Sequence, residues 1–158
     1  FQQMKLDLLH DQLSYTGIIL SGIAAFLFSV AWHGPMFWKI WLANSKWTER
    51  RMKLTPMPMG KLSAAQFICY LIASYVFAVF YESIGITDLF DSIKLGLVFW
   101  GAIKATVTAS GVLWEGEKPL FYLINIGCQF CLAILTSVIY HYLTVYIKHR
   151  NAEIPVAA

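Results

Sequence analysis

Polar residues fall in clumps along this chain, and between the clumps lie four runs almost free of charge. The first, YTGIILSGIAAFLFSVAW, occupies about 15–33, and the second, opening on LSAAQFICYLIASYVF, about 62–82. The third covers 89–113 and carries Lys94 and Lys104; the fourth covers 119–146. Each is close to the roughly 20 residues that a helix needs to cross a bilayer. A strand reading fails, because the runs are too long and do not alternate polar with apolar positions. In hydrocarbon the backbone has to satisfy its own hydrogen bonds, so each run is expected to be a helix. The expected fold class is all-α, an integral membrane bundle of four transmembrane helices over 15–146. An amphipathic segment, 1–14, would precede it, with Leu6, Leu9 and Leu13 at helical spacing among Lys5, Asp7, His10 and Asp11. A tail, 147–158, would follow. The opening on Phe1 is what a processed or truncated N-terminus would give, and a first span with no basic leader is expected to be retained.

The end of the first run is punctuated by SVAWHGPMFWKIW, residues 29–41. Pro35 disfavours helical geometry at Gly34 and has no N–H to continue the ladder, so the span should stop near His33. Trp32, Phe37, Trp38 and Trp41 then fall where amphipathic rings prefer to lie, at the membrane–water boundary. MFWKIWLA reads as a short interfacial helix along that surface.

Composition agrees with lipid as the solvent. Hydrophobic residues make up 58% of 158 and charged ones 13%, where a soluble domain carries about a quarter charged residues; the mean hydropathy is +0.60. The link 39–61 holds Lys39, Lys46, Arg50, Arg51, Lys53 and Lys61 against Glu49, whereas the next link holds Glu82, Asp88 and Asp91. The positive-inside tendency turns the first link to the cytoplasm, or to the interior of an organelle, and leaves both termini outside. Its KWTERRMK stretch is too short for a nucleic-acid surface and suits anionic lipid heads.

Candidate chemistry sits inside the spans. Lys104 is buried in sequence deep within span three, where a charge costs about 3 kcal/mol on insertion scales and marks a functional hypothesis. Gly101, Thr108 and Gly111 share its face. In span four Asn125, Cys128, Gln129 and Thr136 share a face, and counting back from the connecting link sets Lys104 between Gln129 and Asn125 in depth. Gln66, His33, Glu115 and Glu117 belong to the same inner half. The cluster Lys104, Asn125, Gln129, Thr108 and Gln66 can serve as interhelical glue, as a ligand or proton pathway, or as a contact with another subunit. Ser21, Ala25 and Ser29, four residues apart, form a small stripe that favours close helix approach. The thiols of CQFC, Cys128 and Cys131, fall mid-span, away from the exposed helix N-terminus that redox pairs use, and are expected to pack. His33 and His141 fall near opposite faces and read as interfacial histidines. No cofactor is expected, bound lipids are, and no phosphate loop, nucleophile triad or zinc spacing stands out.

Two stretches resemble a known family. Trp32, His33, Gly34, Pro35, Phe37 and Trp41 are similar to the Trp–aromatic–Gly–Pro element near the start of a family of small four-span membrane proteins, DUF1761-like, whose activity is not established. The family usually has tyrosine where this chain has His33. LWEGEKPLFYLIN, with Trp114, Glu115 and Pro119, looks like the family's link into its last span. The resemblance implies a fold and a membrane location and carries over no catalytic residue. Small size and the lack of a catalytic constellation lead to a first expectation of a structural or accessory subunit of a larger membrane complex. A respiratory or other bioenergetic assembly, with the mitochondrial inner membrane as a candidate location, is the guess for that parent. The partners would be membrane lipids and other membrane subunits. The alternative is a small transporter or lipid-binding protein with a polar cavity around Lys104, and an enzyme comes third.

Overall fold

The computed structural model describes residues 13–45 and 58–153. The leading segment before Leu13, the link residues Lys46, Arg50, Arg51 and Lys53, and residues 154–158 lie outside the described residues, as does the side chain of Glu115. Helices run α1 (Tyr15–Ala31), α2 (Trp38–Asn44), α3 (Met59–Ile84), α4 (Leu89–Phe99), α5 (Thr106–Glu115) and α6 (Pro119–Glu153). Wide π-type turns join α1 to α2 at Trp32–Met36 and α4 to α5 at Trp100–Ala105. No strand is present among the described residues. Four helical stretches are long and apolar enough to cross a membrane: Tyr15–Met36, Met59–Ile84, Leu89–Trp114 and Pro119–Arg150. The protein is a multi-pass helical bundle, as the hydropathy pattern requires, and α6 continues past Tyr146 to Glu153.

Local chemistry explains the helix ends. Ser14 caps α1, its hydroxyl accepting from Gly17 N at 3.1 Å, and Asp88 caps α4 by accepting from Phe90 N at 2.9 Å. Gly85, with φ 73°, closes α3 in the left-handed region, and Ile86 N donates back to Tyr81 O at 3.2 Å. Pro119 opens α6, where its missing N–H costs nothing. At the first motif the helix breaks as its sequence requires. Gly34 leaves helical geometry (φ −91°, ψ −105°), and Phe37 N bonds back to Trp32 O at 3.0 Å before α2 sets off.

The packing order around the bundle is α3–α1–α6–α4. α1 packs on α3 and α6, α6 packs on α1 and α4, and α3 meets α4 sparsely. Lipid tails are as apolar as leucine, so packing and hydrogen bonds hold such helices together. Small residues permit the approach: Ser21, Ala25 and Ser29 of the expected stripe are all buried. At the α4–α6 crossing Ser92 Oγ donates to Ser137 O at 3.0 Å. A Cβ on Gly96 there would lie 2.8 Å from the Ala133 carbonyl oxygen. Hydroxyls that face lipid bond their own helix, Thr106 Oγ1 to Ala102 O at 2.6 Å and Ser83 Oγ to Val79 O at 2.6 Å. Two core clusters result, one around Phe77, Tyr81 and Tyr140 and one around Ala25, Tyr70, Cys128 and Leu132.

Candidate functional site

The two sequence motifs meet across the bundle. Trp32 Nε1 donates to Ile124 O at 3.1 Å. Trp41 Nε1 donates to Asn125 Oδ1 at 3.2 Å, and His33 Nε2 lies 3.1 Å from the same oxygen. An indole nitrogen can only donate, so the Asn125 atom facing Trp41 is the carbonyl oxygen, and His33 Nε2 carries the hydrogen. The other ring nitrogen, Nδ1, sits 3.1 Å from Ser29 O and 3.5 Å from Ser29 Oγ on the preceding turn. Trp41 also packs on Phe121, ring centroids 5.7 Å apart, and Lys118 Nζ reaches Ala43 O at 3.1 Å. The break at Gly34–Pro35 therefore has a second consequence besides ending the span: it folds α2 back so that Trp41 reaches α6. Gly34, Pro35 and Phe37 shape this turn, and Phe37 stacks on Trp32 with centroids 4.7 Å apart. Together these contacts form a polar clasp between the end of the first span and the start of the last.

Beside the clasp, the sparse α3–α4 meeting leaves a lateral cleft of about 290 Å³. Its floor is buried, formed by Tyr70, Ser74 and Phe77 of α3 with Leu132 of α6, while Gln66, Cys69, Ala73 and Lys104 at the mouth are exposed. The π-type turn Trp100–Ala105 supplies three lining residues, Trp100, Ile103 and Lys104. Trp100 is pinned to α6 by a hydrogen bond from Nε1 to Ile126 O at 3.1 Å, and its ring meets Phe130 edge-on at 5.1 Å. Wide turns of this kind recur at functional sites, because the extra residue re-aims its neighbours. At the far end Phe80 meets Phe99 edge-on at 5.0 Å and bridges the two helices.

The cleft carries its charge and its amides at one end and is mainly apolar toward the other. The helices alternate in direction, so Gln66, Lys104 and Gln129 lie at the end nearer the clasp, and Phe77, Gly96 and Thr136 at the end nearer the α3–α4 turn. Trp100 bonded to Ile126 and Tyr122 Oη bonded to Ala105 O at 3.5 Å tie the turn that carries Lys104 to the first half of α6. Of the sequence-derived cluster, Lys104, Gln66 and Gln129 share this cleft, and Thr108 does not line it. Asn125 is not the partner of Lys104: its oxygen is committed to His33 and Trp41. Among the described residues Lys104 has no ion pair. Trp114 is 88% exposed, and Pro119 is exposed at the start of α6, so neither belongs to the clasp or the cleft.

A second polar network occupies the opposite end. Tyr81 Oη and His141 Nδ1 are 2.8 Å apart, Tyr140 Oη donates to Glu82 Oε1 at 3.5 Å, and Lys148 pairs with Glu82 Oε2 at 3.1 Å. His33 and His141 thus serve different ends of the bundle, as their span positions require. Hydropathy alone did not flag the tyrosines, although Tyr81, Tyr140 and His141 fall within one turn of polar neighbours that hydrocarbon would force to pair. All three cysteines are free, with Cys128 buried in the core and Cys69 exposed at the cleft mouth. Among the described residues no three His, Cys, Asp or Glu side chains gather in a way that could hold a metal.

Residues 16–141, which contain the clasp and the cleft, match a family described as "Protein of unknown function (DUF1761)". No curated protein and no solved structure matches the chain. The first motif and the Lys118–Asn125 part of the second make up the clasp, and the match extends over all but the ends of the chain: this protein belongs to the DUF1761 family of proteins of unknown function.

Proposed function

We propose that this protein binds an amphiphilic small molecule drawn from the bilayer, held in the cleft between α3 and α4. The observation that carries the reading is Lys104, an ammonium within a membrane span, without an ion-pair partner among the described residues, at the mouth of a cavity of about 290 Å³. An ionisable side chain at such depth is costly and is kept where it meets a ligand or a partner charge. The lining is otherwise mainly apolar with a few convergent polar groups, the usual character of a small-molecule site. The cleft faces sideways between two spans, so a ligand dissolved in lipid reaches it without crossing water.

Native mass spectrometry of the full chain extracted in mild detergent tests the reading. The wild-type protein should retain one small lipidic adduct, and Ala73→Phe, which sets a ring in the mouth, should lose it. Adducts of equal mass and abundance on both proteins would place the bound lipid elsewhere and defeat the proposal.

A second reading, an accessory subunit of a larger membrane complex, draws on the third span. Val98, Val107, Leu113 and Trp114 of that span are all largely exposed, and α5 has few neighbours besides α6. A partner helix laid there would give a discrete large species on a native gel. A bioenergetic complex and a mitochondrial membrane would then be matters for identifying that species, since the family description names neither.

A further inference from the structure

Resting on the reading of the cleft as a binding site, the geometry points to its occupant: a single-chain amphiphile with a carboxylate head, the class of a long-chain fatty acid. The head would sit on Lys104 between the amides of Gln66 and Gln129, and the tail would run toward Phe77 and Thr136.

Three observations fix the class. The first is polarity along the cleft, with the amides and the ammonium at one end and Phe77, Phe99 and Gly96, with the hydroxyl of Thr136, toward the other. A ligand that fits both ends is polar at one end and apolar at the other. The second is charge. Lys104 is the one cation among the lining residues, and no acidic side chain lines the cleft with it. A monovalent carboxylate neutralises one ammonium, and its remaining lone pairs can take N–H groups from the two glutamines. A doubly charged phosphomonoester head would leave an excess negative charge in hydrocarbon, and a neutral head would leave the ammonium unpaired. The singly charged phosphodiester of a bilayer lipid comes with two chains, which the size of the cleft disfavours. The third is size. A cavity of about 290 Å³ lies at the lower edge of the roughly 300–1,000 Å³ usual for small-molecule sites. That is room for much of one chain and not for the paired chains of a bilayer phospholipid.

The head group has to provide the selectivity. A tail that leaves lipid for the cleft exchanges one apolar environment for another and gains little beyond packing. Binding above the background of bilayer lipids therefore depends on the contact with Lys104, and loss of that charge should release the ligand while the cleft itself stays intact.

The test uses a diazirine-bearing palmitate photo-crosslinked to the full chain in phosphatidylcholine nanodiscs, with peptide mapping of the adduct. Labelling should map to the lining residues between Gln66 and Phe77 and between Gly96 and Lys104. Oleate should compete for it, and methyl oleate, which has the same chain without the charge, should not. Lys104→Met should lower the labelling at least about tenfold, and Lys104→Arg should keep it within about threefold, the range that separates loss of a charged contact from its preservation. Ala73→Phe, with the lysine untouched, should also abolish it. Labelling in the cleft that methyl oleate competes as well as oleate, or that survives Lys104→Met, would overturn the carboxylate assignment and leave the cleft reading standing. Labelling spread over the lipid-facing surface, insensitive to Ala73→Phe, would overturn both.

Discussion

Asn125→Leu is the sharpest test of the clasp. Leucine keeps the branched shape of asparagine and removes the one oxygen that serves both Trp41 Nε1 at 3.2 Å and His33 Nε2 at 3.1 Å. Two donors lose their acceptor at once. Side-chain hydrogen bonds between membrane helices are worth about 0.6 kcal/mol on average and up to about 1.7, so two bonds set a range of roughly 1–3 kcal/mol. His33, Trp41 and Asn125 are half-buried, so water at the membrane boundary can recover part of that. The expected loss is therefore in the lower half of the range, about 1–2 kcal/mol. Unfolding of the purified chain by steric trapping in bicelles gives the free energy directly. A double-mutant cycle with His33→Ala isolates the pair, and a coupling of at least about 0.5 kcal/mol is expected for residues in direct contact. Wild-type stability in Asn125→Leu, or strict additivity in the cycle, would show that the two motifs touch without holding the bundle together.

Three further perturbations follow from the packing. Gly96→Ala puts a methyl group 2.8 Å from a backbone oxygen of α6 and should destabilise the chain by about 1–3 kcal/mol, measured in the same trapping assay. Pro35→Ala should restore the missing backbone donor, let α1 run on, and draw Trp41 off Asn125. Tryptophan quenching by lipids brominated at known depths should then report a changed depth, and unchanged depth would refute this account of the turn. A cysteine placed at Ser45 should be labelled by an impermeant maleimide only from the cytoplasmic or organelle-interior side of sealed membranes, and labelling from the other side would reverse the proposed topology.

Much of the fold was legible because its signals are local. Run length and missing charge set the four spans, Gly34–Pro35 set the break after the first, and the period of Ser21, Ala25 and Ser29 marked the buried face of α1. What hydropathy does not encode is which helix stands beside which. The cleft exists because α1 and α6 occupy the centre and hold α3 and α4 apart, an order that equal apolar runs leave open. The depth count set Lys104 between Gln129 and Asn125, yet depth is one coordinate of three. It could not tell that Asn125 faces α1 and α2 while Gln129 faces the cleft. The π-type turn at Trp100–Ala105 escaped for a related reason, since no proline marks it. Its signal was a mid-span indole whose N–H needs an acceptor in hydrocarbon, and that acceptor, Ile126 O, belongs to another helix.

The central claim is that α3 and α4 stand apart around a ligand whose polar end lies at Lys104, and a crystallographic density map of the full chain grown from a lipidic mesophase tests it most directly. The account predicts α3 and α4 separated along the cleft, with one elongated density between them running from Lys104, Gln66 and Gln129 toward Phe77. A map in which α3 lies packed against α4, the cleft is closed, and the Lys104 ammonium points to the lipid side would contradict it.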